Sequence, residues 1–288
     1  MLHLIINPSA GNGRGARIGA EVVEALTRKG IAHTAAMTQR PGHGSDLARE
    51  AVAAGAETIL AIGGDGTVRE VAAGLHGGGA TLGIIPAGTG NDVAKMLHLP
   101  KKPLEALDYL LAHPARPLDA GRAGEGLFVN VCGTGFDVCV LDFALKAKKY
   151  VRGMLPYLLG VLRTMLTYRP LQVQVQVDDA PAQNRSLLLA AVANGRYFGG
   201  GMDVAPDSSP NDGLFDLILI DAMPRHKMPF QLPKLLNGHI MDVPGATCLR
   251  CKRVHLRAKG MRVNVDGEIL PMEEALFEML PAALMVHW

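Results

Sequence analysis

The stretch AIGGDGTVREVAAGL, Ala61 to Leu75, sets three glycines and an aspartate between an apolar run and a segment with helical spacing. A strand that turns through glycines into a helix brings backbone close to a ligand, and a helix N-terminus offers unpaired N–H groups and partial positive charge that suit a phosphate. The spacing is neither the dinucleotide G-x-G-x-x-G nor the Walker G-x-x-x-x-G-K-[ST]. Taken alone, the turn is equally well a tight βα connection with Asp65 as a cap.

The flanking sequence repeats the pattern. HLIINPS (3–9) leads into a Gly/Asn/Arg loop and then into RIGAEVVEALTRKG, which has helical spacing and a terminal Gly. IAHTAAMT (31–38) reads as a second strand, followed by a helix over Leu47 to Ala54 with Ser45 or Asp46 as its cap. ETILAIGG and ATLGIIPAGT supply two more strands, each followed by a helix, and LEALDYLLAH (104–113) another helix. Strands alternating with helices predict a doubly wound, mainly parallel sheet, whose ligands bind at the carboxyl ends of the strands. The glycine-rich loops 7–15, 63–67 and 86–92 all follow strands and so fall on that one edge. Three such loops on one edge favour a nucleotide triphosphate as the ligand.

Past Pro117 the pattern changes. GLFVNVCGTGFDVCV (126–140) reads as strand, and Leu141 to Tyr168 has helical spacing interrupted at Pro156. LQVQVQVDD (171–179) alternates strictly, placing Leu171, Val173, Val175 and Val177 on one face. SLLLAAVANG, DGLFDLILID, RVHLRAK, MRVNVDG, ALFEML and ALMVHW continue as strands separated by turns, which predicts an antiparallel β-sandwich-like domain. The boundary falls near residues 115–125, dividing an α/β domain (1–120) from a β-rich domain (121–288).

Bulk properties exclude several classes. The 288-residue chain is 48% hydrophobic and 19% charged with a net charge of +2, so neither disorder nor wholesale binding to nucleic acid is expected. Met1 runs directly into a strand-like segment, and no apolar stretch approaches the ~18 residues of a membrane-spanning helix. The expected compartment is the cytoplasm, with Cys132, Cys139, Cys248 and Cys251 reduced. Cys248-x-x-Cys251 resembles half a zinc site, but no second pair completes it. No H-E-x-x-H or G-x-S-x-G motif points to a hydrolase.

GGDGT after a strand, followed by GIIPAGTGNDVAK, resembles the diacylglycerol kinase catalytic-domain family, which includes bacterial soluble lipid kinases. The resemblance runs the length of the chain through NPSAGNGRG, LDAG (118–121), NGRYFGGGMDVAPDSSPNDGLFDLILI (194–220), LPKLLNGHIMDVPG (232–245) and VNVDGE (263–268). GGDGT alone is shared with NAD kinases, whereas PAGTGND, GRYFGGGM and VNVDGE in order are far more restrictive.

The resemblance implies an ATP-dependent lipid kinase using Mg²⁺, with its active site in the interdomain cleft. Gly64, Asp65, Gly66, Thr67 and Glu70 would embrace ATP, with Thr38 and Thr89 as further nucleotide contacts. Asp65, Asp92 and Asp119 would organise Mg²⁺ and water. Arg69 stands where the family commonly has Asn. Glu268 would be the general base, assisted by Asp266, the glycine between them exposing both carboxylates; on the residues alone, Asp266-Gly267 is a hairpin signal. A structural Mg²⁺ site would use Asp212 with the carbonyls of Ser209 and Leu214, where a turn before a strand explains the residues equally well. The apolar and basic segment with Lys146, Lys148, Lys149, Arg152, Arg163 and Arg169 reads as a helix packed on its own domain or as a surface lying on a membrane. The partners implied are a lipid at the inner membrane face and, by default for soluble enzymes, a second copy in a homodimer. A related kinase of another lipid (sphingosine-like, phosphatidylglycerol), a kinase for a soluble substrate (NAD kinase-like) and a non-catalytic nucleotide- or lipid-binding protein are the rival readings.

Overall fold

The computed structural model describes residues 1–147 and 155–288. The chain divides into two compact units, Met1–Ala120 with Leu280–Trp288, and Gly121–Met279.

Unit 1 runs β1 (Leu2–Ile6), α1 (Ala10–Arg28), β2 (His33–Met37), α2 (His43–Ala53), β3 (Thr58–Gly63), α3 (Asp65–Leu75), β4 (Thr81–Pro86), α4 (Asp92–Met96) and α5 (Pro103–Ala112). Strands β1 to β4 pair in parallel, in the order β4-β3-β1-β2. Its central strands are apolar throughout, as helix-covered parallel strands must be, and Leu4, Ile5, Ile59, Ile62, Leu82 and Ile85 are fully buried. The loops after β1, β3 and β4 therefore emerge side by side on one edge.

Two local expectations are corrected. α3 starts at Asp65 itself, with Gly64 in the N-cap position, and α2 starts at His43, not Leu47. Neither Ser45 nor Asp46 caps α2, which starts after Gly42 in a left-handed conformation, φ 80°.

Unit 2 begins within β5 (Ala115–Ala123) and continues through β6 (Gly126–Phe128), β7 (Val131–Gly135), α6 (Phe136–Ala147), α7 (Leu155–Thr167), β8 (Leu171–Val177) and β9 (Gln183–Ala193). The short β10 (Tyr197–Phe198) and β11 (Met202–Asp203) precede β12 (Phe215–Asp221), α8 (Met228–Leu236), β13 (Ala246–Cys251), β14 (Arg253–Arg257), β15 (Arg262–Val265), β16 (Glu268–Pro271) and β17 (Glu274–His287). Pairing is antiparallel from β16 through β15, β7, β9, β8 and β14 to the start of β17, with β12 joined to β9 and β13 to β12. One core centres on Phe128, stacked on Phe215 and edge-on to Phe277. The other side is covered by α6, α7 and α8 through Val140, Val161, Met165 and Met228. The strict alternation of β8 has its expected consequence: Val173 and Val175 are buried, with Leu171 and Val177 packed against the same core.

Three readings differ in this unit. Residues 136–140 are the start of α6, not strand, because Gly135 at φ 107° ends β7 and turns the chain. Pro156 does not interrupt the helix where it stands: it lies within α7, and the residues before Leu155 are outside the described ones. Lys148, Lys149 and Arg152 of the basic segment lie outside the described residues. ALFEML and ALMVHW form the single strand β17, with no turn between them. Its first part pairs with β14, and Met285 and Val286 pair in parallel with β4, so the last nine residues, Leu280–Trp288, belong with unit 1. Cys248 and Cys251 sit three apart on β13 and so point to opposite faces, Cys251 buried and Cys248 exposed, both free thiols.

Candidate active site

In unit 1 the three glycine-rich loops are bound to one another. Gly63 O accepts the N–H groups of Ala87 (2.8 Å) and Gly88 (3.2 Å). Arg14 Nη2 donates to Gly88 O at 3.0 Å, and Asn7 Nδ2 donates to Thr67 Oγ1 at 2.9 Å. The contact admits no side chain: a Cβ on Gly88 would stand 2.5 Å from Gly64 Cα, and one on Gly11, at φ 58°, 2.2 Å from Ala87 O. Much of the glycine content therefore serves loop-against-loop packing. Gly66 differs: a Cβ there meets nothing within 4 Å, and unlike Gly13, which is equally open, it has no left-handed φ. It is exposed in the first turn of α3, whose amides lack helical partners.

Asp65 Oδ1 accepts the N–H of Val93 at 3.0 Å, so the carboxylate that opens α3 also holds the start of α4. Burial and the neighbouring charge of Asp92 both raise its pKa, against the backbone N–H groups that lower it. Asp92 is buried, 4% exposed, and paired with Lys95 Nζ at 3.1 Å. Two neighbouring carboxylates, one of them paired with a single lysine, form a donor set that suits a divalent cation completed by phosphate oxygens. Thr89 is exposed beside Gly88, and Asn91, left-handed at φ 54°, closes that loop by accepting Gly88 N–H at 2.9 Å and donating to Gly88 O at 3.1 Å. Thr38 follows β2, its N–H on Ile6 O at 2.9 Å.

Two of the expected nucleotide-site residues have another engagement. Glu70 accepts the N–H of Gly42 through Oε1 (2.9 Å) and of Gly44 through Oε2 (3.0 Å), so it supplies the α2 cap that Ser45 and Asp46 do not. Asp119, buried on β5, accepts the N–H of Ala282 at 2.7 Å, in the part of β17 that belongs to unit 1.

In unit 2, Asp266 and Gly267 have φ 45° and 95° and join β15 to β16, with Val265 paired to Glu268. This is a two-residue hairpin with left-handed geometry at both turn positions. It does not expose both carboxylates. Asp266 turns back onto the chain before β7: Oδ2 accepts the N–H of Val129 (2.8 Å), and Oδ1 those of Val131 (3.0 Å) and Asn130 (3.2 Å). Glu268 is exposed at the first position of β16. The hairpin is thus a clamp that fixes where Glu268 stands.

Buried asparagines extend the clamp. Asn264 Oδ1 accepts Gly267 N–H at 2.8 Å, and its Nδ2 donates to Asp137 Oδ2 at 3.3 Å. Asn194 Nδ2 donates to Val129 O at 2.9 Å, and Asn130 Nδ2 to Tyr197 O at 2.5 Å. Asp137 lies buried in the first turn of α6, and burial pushes its pKa up to about 6. Sequence reasoning assigned no role to Asn130, Asp137, Asn194 or Asn264. The available signal was a polar residue inside an apolar strand run, which demands an internal partner when buried.

The Asp212 turn has a different chemistry. Asp212 is ion-paired with Arg250, and its Oδ1 accepts Leu214 N–H at 3.1 Å; Ser209 Oγ donates to Asn211 Oδ1 at 3.0 Å. In this structure the carboxylate of the expected Mg²⁺ set is thus engaged by an arginine and by its own turn. Among the described residues no group of three or more His, Cys, Asp or Glu is arranged to hold a metal without further donors.

Comparison with known proteins places these features in a family. Residues 1–123 match the family "Diacylglycerol kinase catalytic domain", and residues 130–288 match "YegS C-terminal NAD kinase beta sandwich-like domain". A "Diacylglycerol kinase" of Mycobacterium tuberculosis (strain ATCC 25618 / H37Rv) is 30% identical over 98% of this chain and 93% of its own. A "Probable lipid kinase YegS-like" protein of Pseudomonas putida is 34% identical over 87% of this chain and 83% of its own. A crystal structure from Bacillus anthracis str. Sterne shares the fold, with a TM-score of 0.81 at 24% identity over 100% of this chain and 96% of that one.

Proposed function

Because this chain belongs to the diacylglycerol kinase family, whose members are kinases acting on an alcohol group, we propose that it transfers the γ-phosphate of Mg-ATP to the hydroxyl of a lipid such as diacylglycerol, giving phosphatidic acid. The observation that carries this reading is the placement of Glu268, exposed on a hairpin that Asp266 ties to three successive backbone amides.

In the proposed reaction Glu268 orients the acceptor hydroxyl and takes its proton as the oxygen attacks the γ-phosphorus. The bond from that phosphorus to the bridging oxygen breaks and ADP leaves. Asp266 positions Glu268; its oxygens are committed to backbone. Gly66 and the first turn of α3 receive phosphate, with Thr67 and Thr89 beside them and Thr38 on the nucleotide. Asp65 and Asp92 would hold Mg²⁺, which would neutralise phosphate charge. Glu70 and Asp119 support the fold of this region rather than touch the nucleotide.

The reaction is proposed to take place at the inner membrane face. Among the described residues no helix is long and apolar enough to cross a membrane. The support is α7, which exposes Leu155, Leu158, Leu162 and Leu166 on one side. A labelled-ATP assay against diacylglycerol, sphingosine-like lipids, phosphatidylglycerol and NAD tests the reading. Lipid phosphorylation that disappears in Glu268→Gln is expected; efficient phosphorylation of NAD with none of the lipids would overturn it.

A further inference from the structure

Asn130, one of the three residues whose amides hold Asp266, has further bonds that lead away from the Glu268 hairpin. Its C=O accepts the N–H groups of Asn194 and Gly195, both at 2.9 Å, and its Nδ2 donates to Tyr197 O at 2.5 Å. One residue therefore carries both the hairpin that ends in Glu268 and the start of the glycine-rich stretch GRYFGGGMD (195–203). No step of the proposed reaction uses that stretch.

The stretch is built as a ribbon apart from the main sheet. β10 and β11 form a two-stranded sheet of their own, with Tyr197 opposite Asp203 and Phe198 opposite Met202. Gly199, Gly200 and Gly201 connect them at φ 68°, 97° and 117°. A two-stranded ribbon is marginal by itself and needs ties to its surroundings. Arg196 supplies one, donating to Asp203 Oδ2 at 2.8 Å while its guanidinium lies 5.3 Å from the Tyr197 ring centre. Gly238 packs on the same aspartate, where a Cβ would stand 3.0 Å from Oδ2. Tyr197, Phe198 and Met202 are left half-buried. Apolar side chains beside a phenol hydroxyl suit a ligand that joins apolar chains to a polar head.

Asn130 itself breaks a packing rule. It is 4% exposed, and its Oδ1 has no hydrogen-bond partner among the described residues. Burying an amide with one half unpaired costs stability, so core packing alone gives no reason for it. Exceptions of this kind gather at functional sites. What the side chain does make is the bond to Tyr197 O.

We propose that the Tyr197–Met202 ribbon is the wall that holds the lipid acceptor, and that Asn130 is a positioning residue that sets this wall in register with Glu268. The inference rests on the kinase reading for the identity of the acceptor, and it deepens that reading by placing the lipid's contacts in unit 2. A misplacement of about 1 Å between a reacting group and its base lowers the rate by roughly 10²-fold, so a direct tether between the two elements has a large effect.

The experiment is steady-state kinetics with dihexanoylglycerol and ATP, beside calorimetric binding of dihexanoylglycerol without ATP. Asn130→Ala removes the tether. Gly199→Ala strains the ribbon at φ 68° without crowding it, since the added Cβ meets only Met202 Cε at 4.0 Å. Both are expected to raise KM for the lipid severalfold and to lower kcat by about tenfold or more, with KM for ATP within about twofold of native. A purely structural role would reduce the active fraction, lowering kcat with both KM values unchanged; that result in Asn130→Ala would overturn the positioning role. Should Asn130→Ala not fold, Gly199→Ala decides. Variants with native kinetics would overturn the inference and leave the kinase reading standing. A native protein that phosphorylates no lipid would overturn the kinase reading, and calorimetry then decides the inference. Dihexanoylglycerol binding that is lost in the variants upholds the ribbon as its site; binding that is equal in all three proteins, or absent, overturns it.

Discussion

Asp266 accepts the backbone N–H of Val131 at 3.0 Å across 135 residues of chain, and with Val129 and Asn130 it closes three successive amides on one carboxylate. Asp266 and Glu268 therefore differ in kind although only Gly267 separates them. Asp266→Asn is expected to lower stability by about 1–3 kcal/mol, because an amide group repels one of the N–H donors and leaves it unpaired. Glu268→Gln changes an exposed side chain, so its stability is expected to stay within about 0.5 kcal/mol. Its lipid phosphorylation is expected to drop by roughly 10²–10⁴. Urea denaturation beside a labelled-ATP assay separates the two. A fully stable Asp266→Asn variant would remove the clamp.

Glu70 makes a similar case in unit 1. Its two oxygens hold Gly42 and Gly44 at the start of α2, a turn with no side-chain cap of its own. Glu70→Ala is expected to cost about 1–3 kcal/mol through the amides it strands. ATP affinity, read by calorimetry on the folded variant, is expected to change less than threefold, about 0.6 kcal/mol. A large loss of affinity at unchanged stability would restore Glu70 to the nucleotide.

The glycines of the loops divide by what surrounds them. At Gly88 an added Cβ meets the backbone of Gly64 at 2.5 Å, and neither chain can yield without breaking the Gly63 hydrogen bonds. Gly88→Ala is expected to destabilise unit 1 by about 1–3 kcal/mol, as overpacking does. At Gly66 the space is open. Gly66→Ala is expected to hold or raise stability, by up to about 1 kcal/mol from helix propensity, while ATP affinity falls. Unaltered ATP binding in Gly66→Ala would move the phosphate away from α3.

These contrasts show which features a sequence exposes. The parallel sheet followed from apolar runs alternating with helical spacing, and β8 from period-two alternation, since both depend on neighbours in the chain. The loops at 7–15, 63–67 and 86–92 were placed together because parallel strands deliver their ends to one edge. What the loops do to each other was hidden: Arg14 reaching Gly88, or Asp65 reaching Val93, are contacts between segments far apart in sequence. The same holds for Glu70, whose motif position suggested a ligand while its partners are amides of α2. In the sequence β17 reads as two strands, ALFEML and ALMVHW, either side of residues 281–282. Ala282 there takes φ 49° and its N–H finds Asp119, so the chain bends within the strand and returns to unit 1.

Asp137 gives a prediction in pH. Burial raises its pKa from 3.8 to about 6, while Asn264 and the amides of α6 pull the other way. Below about pH 4 the group is protonated both folded and unfolded, and it contributes no pH dependence. Between about pH 4 and 6 the unfolded chain loses the proton and the folded chain keeps it, so this group's contribution makes stability fall as pH rises. Above about pH 6 both forms are ionised, and the penalty is complete, on the order of 3 kcal/mol. Asp46, Asp142 and Glu274, held low by their cationic partners, act in the opposite direction, so the total profile hides the effect. The difference between native protein and Asp137→Asn isolates it. Asn keeps the shape and carries no charge, so its stability relative to native should climb from pH 4 to 6 and level off above. Urea midpoints at pH 4, 5, 6 and 7.5 measure this; a difference that stays constant across the series would mean that Asp137 is not the group that titrates there.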